Sequence, residues 1–308
     1  METTFLRAVL VTAVAPLAWG TTYLTTESLL PPGRPLLSAA VRALPAGLVL
    51  VLARRRLPKG AWWWRAPLLG ICNIGLFFPL LFLGATHLPG GLASTLQATS
   101  PLVMMAFAYV LLHERAGAAR VGAAVAGLCG VLLLLTVSAD RVDAIGLAAA
   151  TGSVVSCSLG FVLAKRWDPP VDMLTLVGWQ LTAGGLLLAP LAILIEGAPP
   201  AMGITELTGF VWMSIPGTGI AYVCWFHGLR HLPAGVVSLV GLLNPAVATL
   251  LGVVVADEPF STVQAVGLAL VLGSVCAGPL AGHRRLASDI MQRQQAAEGR
   301  ALTPAPHH

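Results

Sequence analysis

His87-Leu88-Pro89-Gly90-Gly91-Leu92-Ala93-Ser94 returns later in the chain as His231-Leu232-Pro233-Ala234-Gly235-Val236-Val237-Ser238. The copies run on through Ser100-Pro101 to Glu114 and through Asn244-Pro245 to Glu258. His, Leu, Pro, Gly, Ser, Pro and Glu thus recur at a constant offset of 144 residues. Upstream, the same offset pairs Gly75 with Gly219 and Gly84 with Gly228. Downstream it slips by one residue and pairs Val121-Gly122 with Val266-Gly267. Earlier segments correspond more weakly: Leu159-Gly160 stands like Trp19-Gly20, Pro169-Pro170 like Pro31-Pro32, and Gly185 like Gly47. Seven matches in register are beyond chance even in an apolar sequence, and they mark a duplication that fills most of the chain.

The solvent of this chain follows from its composition. Of 308 residues, 56% are apolar and 10% are charged, and mean hydropathy is +0.83. A water-soluble domain carries about a quarter charged residues, so the composition implies an integral membrane protein. The net charge of +5 then gives no reason to expect nucleic acid, because the basic residues lie between apolar runs and report orientation. Cys72, Cys129, Cys157, Cys224 and Cys276 are scattered singly through apolar runs. They read as small packing residues, not disulfides or metal ligands. Ala13-Val14-Ala15 resembles a cleavage site, but hydrophobicity continues past it to Leu24 and the repeat needs the segment, so it is kept as a membrane helix.

Ten apolar segments, near 5–26, 36–53, 66–86, 91–112, 118–137, 145–164, 174–195, 207–228, 234–255 and 262–281, are long enough to cross a ~30 Å hydrocarbon core. Backbone groups in lipid must bond internally, so these runs are expected to be helices. Short loops with turn chemistry, such as Pro31-Pro32-Gly33 and Pro58-Lys59-Gly60, separate them. The expected fold is all-α: ten transmembrane helices as two five-helix repeats, 5–137 and 145–281, followed by a disordered cytoplasmic tail over 282–308. An odd number of helices per repeat turns the second copy upside down. With the amino terminus inside, fifteen basic residues fall on the inner side and two, Arg34 and Arg141, on the outer. That bias predicts a cytoplasmic-membrane protein with both termini in the cytoplasm. Trp62-Trp63-Trp64, beside the basic second loop, suits a headgroup-level aromatic belt better than a ligand cage.

Inverted halves meeting at a pseudo-two-fold axis can expose one central site to either side by rocking, which is how secondary transporters work. No GxxxxGK[ST] loop accompanies them, so the expected driving force is an ion gradient or the substrate's own gradient. The chain resembles the drug/metabolite transporter superfamily, in its ten-helix EamA group, over residues 5–281. Trp19-Gly20-Thr21, Pro35 with Arg42, His87-Leu88-Pro89, Ser100-Pro101, Glu114-Arg115, Leu232-Pro233, Asn244-Pro245 and Asp257-Glu258-Pro259 carry the resemblance. Asn73-Ile74-Gly75-Leu76-Phe77-Phe78-Pro79-Leu80-Leu81-Phe82 further looks like the pigment and metabolite exporter branch of that group. The resemblance implies export of a small metabolite or amino acid, with no fixed substrate. A passive facilitator or channel is the alternative. A membrane enzyme would need a nucleophile–base set or metal cluster, and neither GxSxG nor HExxH is present. Expected partners are the small-molecule substrate, membrane lipid and, where an ion gradient drives transport, a coupling ion, with no cofactor and no metal.

Several residues stand out as candidates for substrate binding. Arg42 lies about six residues, roughly 9 Å, into the second segment. It serves either as counter-charge to a substrate anion or as a structural cation that pairs with Glu27 or snorkels outward. Gln180 occupies its place in the second repeat. Pro101 and Pro245 are expected as kinks that free the carbonyls of Gln97 and Gly241, with Ser100 and Asn244 nearby. Trp19 with Tyr23, and Asn73 with Phe77, are spaced four apart and share faces; they form a substrate wall or pack the bundle. Trp179, Gln180, Tyr222 and Trp225 offer equivalents in the second half. Glu114 and Glu258, at helix ends, are read as caps or ion-pair partners, with proton carriage as the alternative; that no acidic residue falls at mid-membrane depth weighs against a proton relay. His227 and His231 have metal-binding spacing but no third ligand in sequence.

Overall fold

The computed structural model describes residues 2–88, 96–134, 143–255 and 260–277. Glu258, the loop residues Pro89 and Asp140, the expected tail and the side chain of Tyr23 fall outside that description. The described residues are helical and contain no strand. The first half comprises α1 (Glu2–Gly20), α2 (Thr22–Leu29), α3 (Pro35–Arg54), α4 (Trp62–Gly70), α5 (Phe77–His87), α6 (Ser100–Leu112) and α7 (Ala118–Leu134). The second comprises α8 (Ala144–Arg166), α9 (Met173–Glu196), α10 (Ile204–Ser214), α11 (Ala221–His231), α12 (Ala234–Val240) and α13 (Leu243–Val255). A last helix, α14, spans Thr262–Ala277. One π-helical segment joins α4 to α5, Ile71–Gly75 (π1), and another joins α10 to α11, Ile215–Ile220 (π2).

By length and composition, six helical stretches can cross a membrane: Pro35–Arg54, Trp62–His87, Ala144–Arg166, Met173–Glu196, Ile204–His231 and Ala234–Val255. Four apolar helices are shorter: Thr4–Gly20, Ser100–Leu112, Ala118–Leu134 and Thr262–Ala277. Polarity is distributed inside out. Leu194 is 80% exposed while Asn73 and Gln180 are wholly buried, which suits a chain whose solvent is hydrocarbon.

Helices α3 and α9 form the central pair and run antiparallel. At one end the Glu196 carboxylate accepts from the N–H groups of Leu36 (2.6 Å) and Leu37 (2.9 Å). Those are orphan donors of the first turn of α3, where Pro35 pre-sets the backbone. At the other end Arg54 meets Asp172 at 2.9 Å, and Asp172 also caps α9 through the Thr175 N–H at 3.1 Å. Lipid supplies little drive for helix association, so close backbone approach must. Gly47 lies against the backbone of Leu181 and Thr182, and Gly185 against the backbone of Leu44. A Cβ would sit 2.4 Å from Thr182 N at the first position and 2.7 Å from Leu44 Cα at the second. These are the two glycines that correspond between the halves.

The larger core joins residues of α1, α3 to α5, α8, α9 and α11 with the start of α12. A second core packs α6, α7, α12, α13 and α14 around Met105, Val131, Leu239 and Val271. The expected proline kinks take a different form. Pro101 lies in the first turn of α6, and α12 stops at Val240 before α13 restarts at Leu243. The Gly241 carbonyl is not freed, because it accepts from the Asn244 N–H at 3.1 Å. Proline costs least in a first turn, where its missing N–H would have no intrahelical partner. The chain therefore closes one helix with a tight turn and starts another.

Candidate functional site

The two π segments sit at equivalent places, Ile71 with Ile215 and Gly75 with Gly219, at the same 144-residue offset. In π1 the Leu76 N–H reaches back to Ile71 O at 2.7 Å. Such an insertion widens one turn and turns backbone and side chains off the regular helical register, a device frequent at functional sites. Sequence reasoning did not anticipate these segments. The matched Gly75 and Gly219 were the available signal.

Arg42 projects from α3 onto π2. Its Nε donates to Thr218 Oγ1 and its Nη2 to the Gly217 carbonyl, each at 2.8 Å. The guanidinium stands 5.1 Å from the Phe78 ring centroid. At 4% exposure, Arg42 does not snorkel, and the Glu27 pairing is not made, since Glu27 is exposed. All its partners among the described residues are neutral. A guanidinium has five N–H donors, and those on Nη1 have no acceptor among the described residues. Among the described residues this is a buried cation without a counter-ion, in a setting of low dielectric where an anion would be held strongly.

Gln180, at the matching position of the second repeat, meets the other π segment. Asn73 Nδ2 donates to Gln180 Oε1 at 2.7 Å. Asn73 Oδ1 and Gln180 Nε2 have no partner among the described residues. Gly160 lets α8 approach this pair: a Cβ there would fall 2.1 Å from Asn73 Oδ1. The Tyr222 hydroxyl donates to the Asn73 carbonyl at 3.1 Å, and the Ser156 hydroxyl to the Cys72 carbonyl at 2.9 Å. Two contacts therefore exchange between the repeats: the α3 residue reaches π2, and the α9 residue reaches π1.

Aromatic rings close the seam. Trp19 lies 5.6 Å from Tyr222 and 5.2 Å from Trp225, and Trp225 lies 5.3 Å from Phe161. Phe77 packs on Phe78 at 5.1 Å. A Cβ on Gly20 would lie 3.1 Å from the Asn244 carbonyl, so the turn before Pro245 adjoins Trp19. The structure thus gathers Trp19, Arg42, Asn73, Phe77, Gln180, Tyr222 and the backbone of Asn244. Thr218, Gly217 and Phe78 belong with them and were not expected. Gln97 goes elsewhere and donates to Ser153 Oγ at 2.6 Å; Ser100 opens α6 beside it. Trp179 also leaves the group. Its Nε1 donates to the Arg56 carbonyl at 2.7 Å and its ring faces Trp62 at 6.2 Å.

That far end is strongly basic. Arg65 lies over Trp62, Trp64 and Trp167, with the nearest centroid, that of Trp167, at 5.2 Å. Trp62 is buried while Trp63 and Trp64 are more than half exposed. Glu114 Oε1 pairs with Lys165 at 2.6 Å, and Oε2 accepts from the Ala234 N–H at 2.9 Å; Glu114 thus both caps and pairs. Burial alone would raise the Asp172 pKa, but hydrogen bonds from Arg54 and Thr175 and the charge of Arg54 outweigh it and hold it at about 2. At the opposite end the Asp143 carboxyl is lowered by the Ile145 N–H and by His87, 2.5 Å away. His227 and His231 stack at 4.2 Å, and among the described residues no third ligand joins them.

The profile of the EamA-like transporter family matches residues 6–136 and again 144–277. Protein PecM of Dickeya dadantii (strain 3937) is 39% identical over 263 residues, covering 85% of this chain and 88% of its own. The uncharacterized inner membrane transporter YedA of Escherichia coli (strain K12) is 28% identical over 272 residues, covering 83% and 85%. A solved crystal structure with 26% sequence identity superposes with a TM-score of 0.78 over 90% of this chain and 98% of that one.

Proposed function

The chain belongs to the EamA-like transporter family, and on that premise we propose that it exports a small anionic or zwitterionic metabolite, such as an amino acid, across the cytoplasmic membrane. One observation carries the substrate class: Arg42 is buried with no anionic partner among the described residues. A substrate carboxylate or phosphate would supply the missing charge, bind the Nη1 donors, and lie against the Trp19, Phe77 and Tyr222 rings. Ten crossing helices in two inverted repeats, with both termini cytoplasmic, complete the proposal. The antiparallel α3–α9 pair, the equivalent π segments and the gathering of Arg54, Arg65, Glu114 and Lys165 toward helix ends opposite Arg34 and Glu196 support it. In this arrangement the seam residues Asn73, Gln180, Thr218 and Tyr222 lie where the repeats meet and would exchange partners as they rock.

The test is efflux from proteoliposomes loaded with a panel of amino acids and small carboxylates, with matched neutral and cationic analogues. The expected outcome is saturable efflux of carboxylate-bearing solutes that disappears in Arg42→Gln. Efflux that favours cations, or that survives Arg42→Gln unchanged, refutes the assignment. Flux that never saturates favours a channel.

A further inference from the structure

At the basic end, around the Lys165–Glu114 pair, helix ends line an open cavity of about 400 Å³. Met105, Ala108 and Leu232 form an apolar floor, each almost fully buried. Arg115 and Arg120, Lys165, and Arg230 line the cavity from three separated stretches of the chain, with Glu114 as its acidic group. Glu114 is already engaged with Lys165 and the Ala234 N–H, so it does not offset the charges of Arg115 and Arg230. Arg115 and Arg230 make no ion pair among the described residues. Like charges drawn into one concavity repel unless an anion joins them. Positive charge spread over loops would satisfy the orientation bias equally well; convergence on one cavity needs a further reason.

We propose that this cavity binds the headgroup of an anionic phospholipid, whose phosphodiester takes Arg115 and Arg230 while its apolar part meets the Met105–Leu232 floor. Guanidinium groups suit phosphate oxygens because their paired N–H donors match them. Basic pockets between membrane helices are recurrent headgroup sites. The inference rests on the membrane-spanning reading but not on Arg42 or on transport.

The experiment uses the full chain in neutral detergent and reads thermal stabilisation on addition of phosphatidylglycerol, phosphatidylcholine or glycerol 1-phosphate. The expected result is a saturable rise in Tm with phosphatidylglycerol and none with the other two. Arg115→Gln with Arg230→Gln should weaken half-saturation at least tenfold. Arg55→Gln with Lys59→Gln, which removes the same charge from another basic loop, should not, and Arg42→Gln should behave as the parent. Equal stabilisation by phosphatidylcholine overturns the proposal, as does equal loss in the Arg55/Lys59 pair, which would mean diffuse charge. Glycerol 1-phosphate binding as tightly as the lipid overturns it in favour of a soluble phosphate ester.

Discussion

The two halves make the same contact with different chemistry. In the first, α3 sends Arg42 to the Gly217 carbonyl and Thr218 hydroxyl of π2. In the second, α9 sets Gln180 against Asn73 of π1. Architecture is shared; charge is not. A duplicated fold supplies two equivalent crossings, but a buried cation in each would double the desolvation cost and the mutual repulsion. One copy therefore holds a neutral amide pair, and the central region becomes electrostatically one-sided.

The largest effect expected is on that asymmetry. Arg42→Gln should abolish substrate-induced thermal stabilisation, since losing one partner of a buried charge pair costs roughly 3–5 kcal/mol, more than 100-fold in affinity. Arg42→Lys should retain about a tenth of the affinity, because an ammonium lacks the planar paired donors. Moving the charge, with Arg42→Gln and Gln180→Arg together, should not restore binding. The equivalents of Gly217 and Thr218 are Asn73 and Ile74, and an isoleucine side chain offers no acceptor. Restored binding would mean the two crossings are interchangeable.

Next comes the shared architecture. Gly47→Leu and Gly185→Leu should each destabilise by about 1–3 kcal/mol through overpacking, read as a lower Tm, because each would drive a side chain into backbone across the α3–α9 contact. Similar losses support equal roles. If one variant melts like the parent, the halves are not packed alike.

The neutral crossing is expected to be weaker. Asn73→Leu or Gln180→Leu leaves one buried amide alone, at about 1–3 kcal/mol, whereas the double substitution should cost less than the sum. Additive losses in a thermal double-mutant cycle would show that the 2.7 Å contact contributes nothing.

The smallest effect concerns pH. The Asp172 pKa lies below its ordinary value of 3.8, at about 2, so its stabilising contribution is complete above about pH 4 and lost as pH falls through about 2. Partly exposed as the Arg54 pair is, Asp172→Asn should cost at most about 1 kcal/mol at pH 7. Melting curves of parent and variant should converge near pH 2. A difference that grows with acidification would refute the sign.

Much was legible in the sequence because hydrocarbon imposes simple rules. Long apolar runs must be helices, and turns carry Pro and Gly; these are local properties that survive without knowing what touches what. The repeat singled out Gly47, Gly185, Gly75 and Gly219 by position alone, and the seam drew its members from residues notable for polarity in apolar surroundings. Tertiary structure decided their partners. Arg42 meets Thr218 rather than Glu27 because α10 and π2, some 175 residues away, pack against α3. Trp179 turns to the basic end because the antiparallel register of α3 and α9 sets it beside Arg56. Pro101 and Pro245 mark helix restarts rather than kinks, since a proline may bend a helix or begin one and only the packing of the preceding turn selects between them. The same holds for π1 and π2: one glycine match is visible in the chain, but a widened turn persists where neighbouring helices occupy its freed groups, and those neighbours are chosen by the fold.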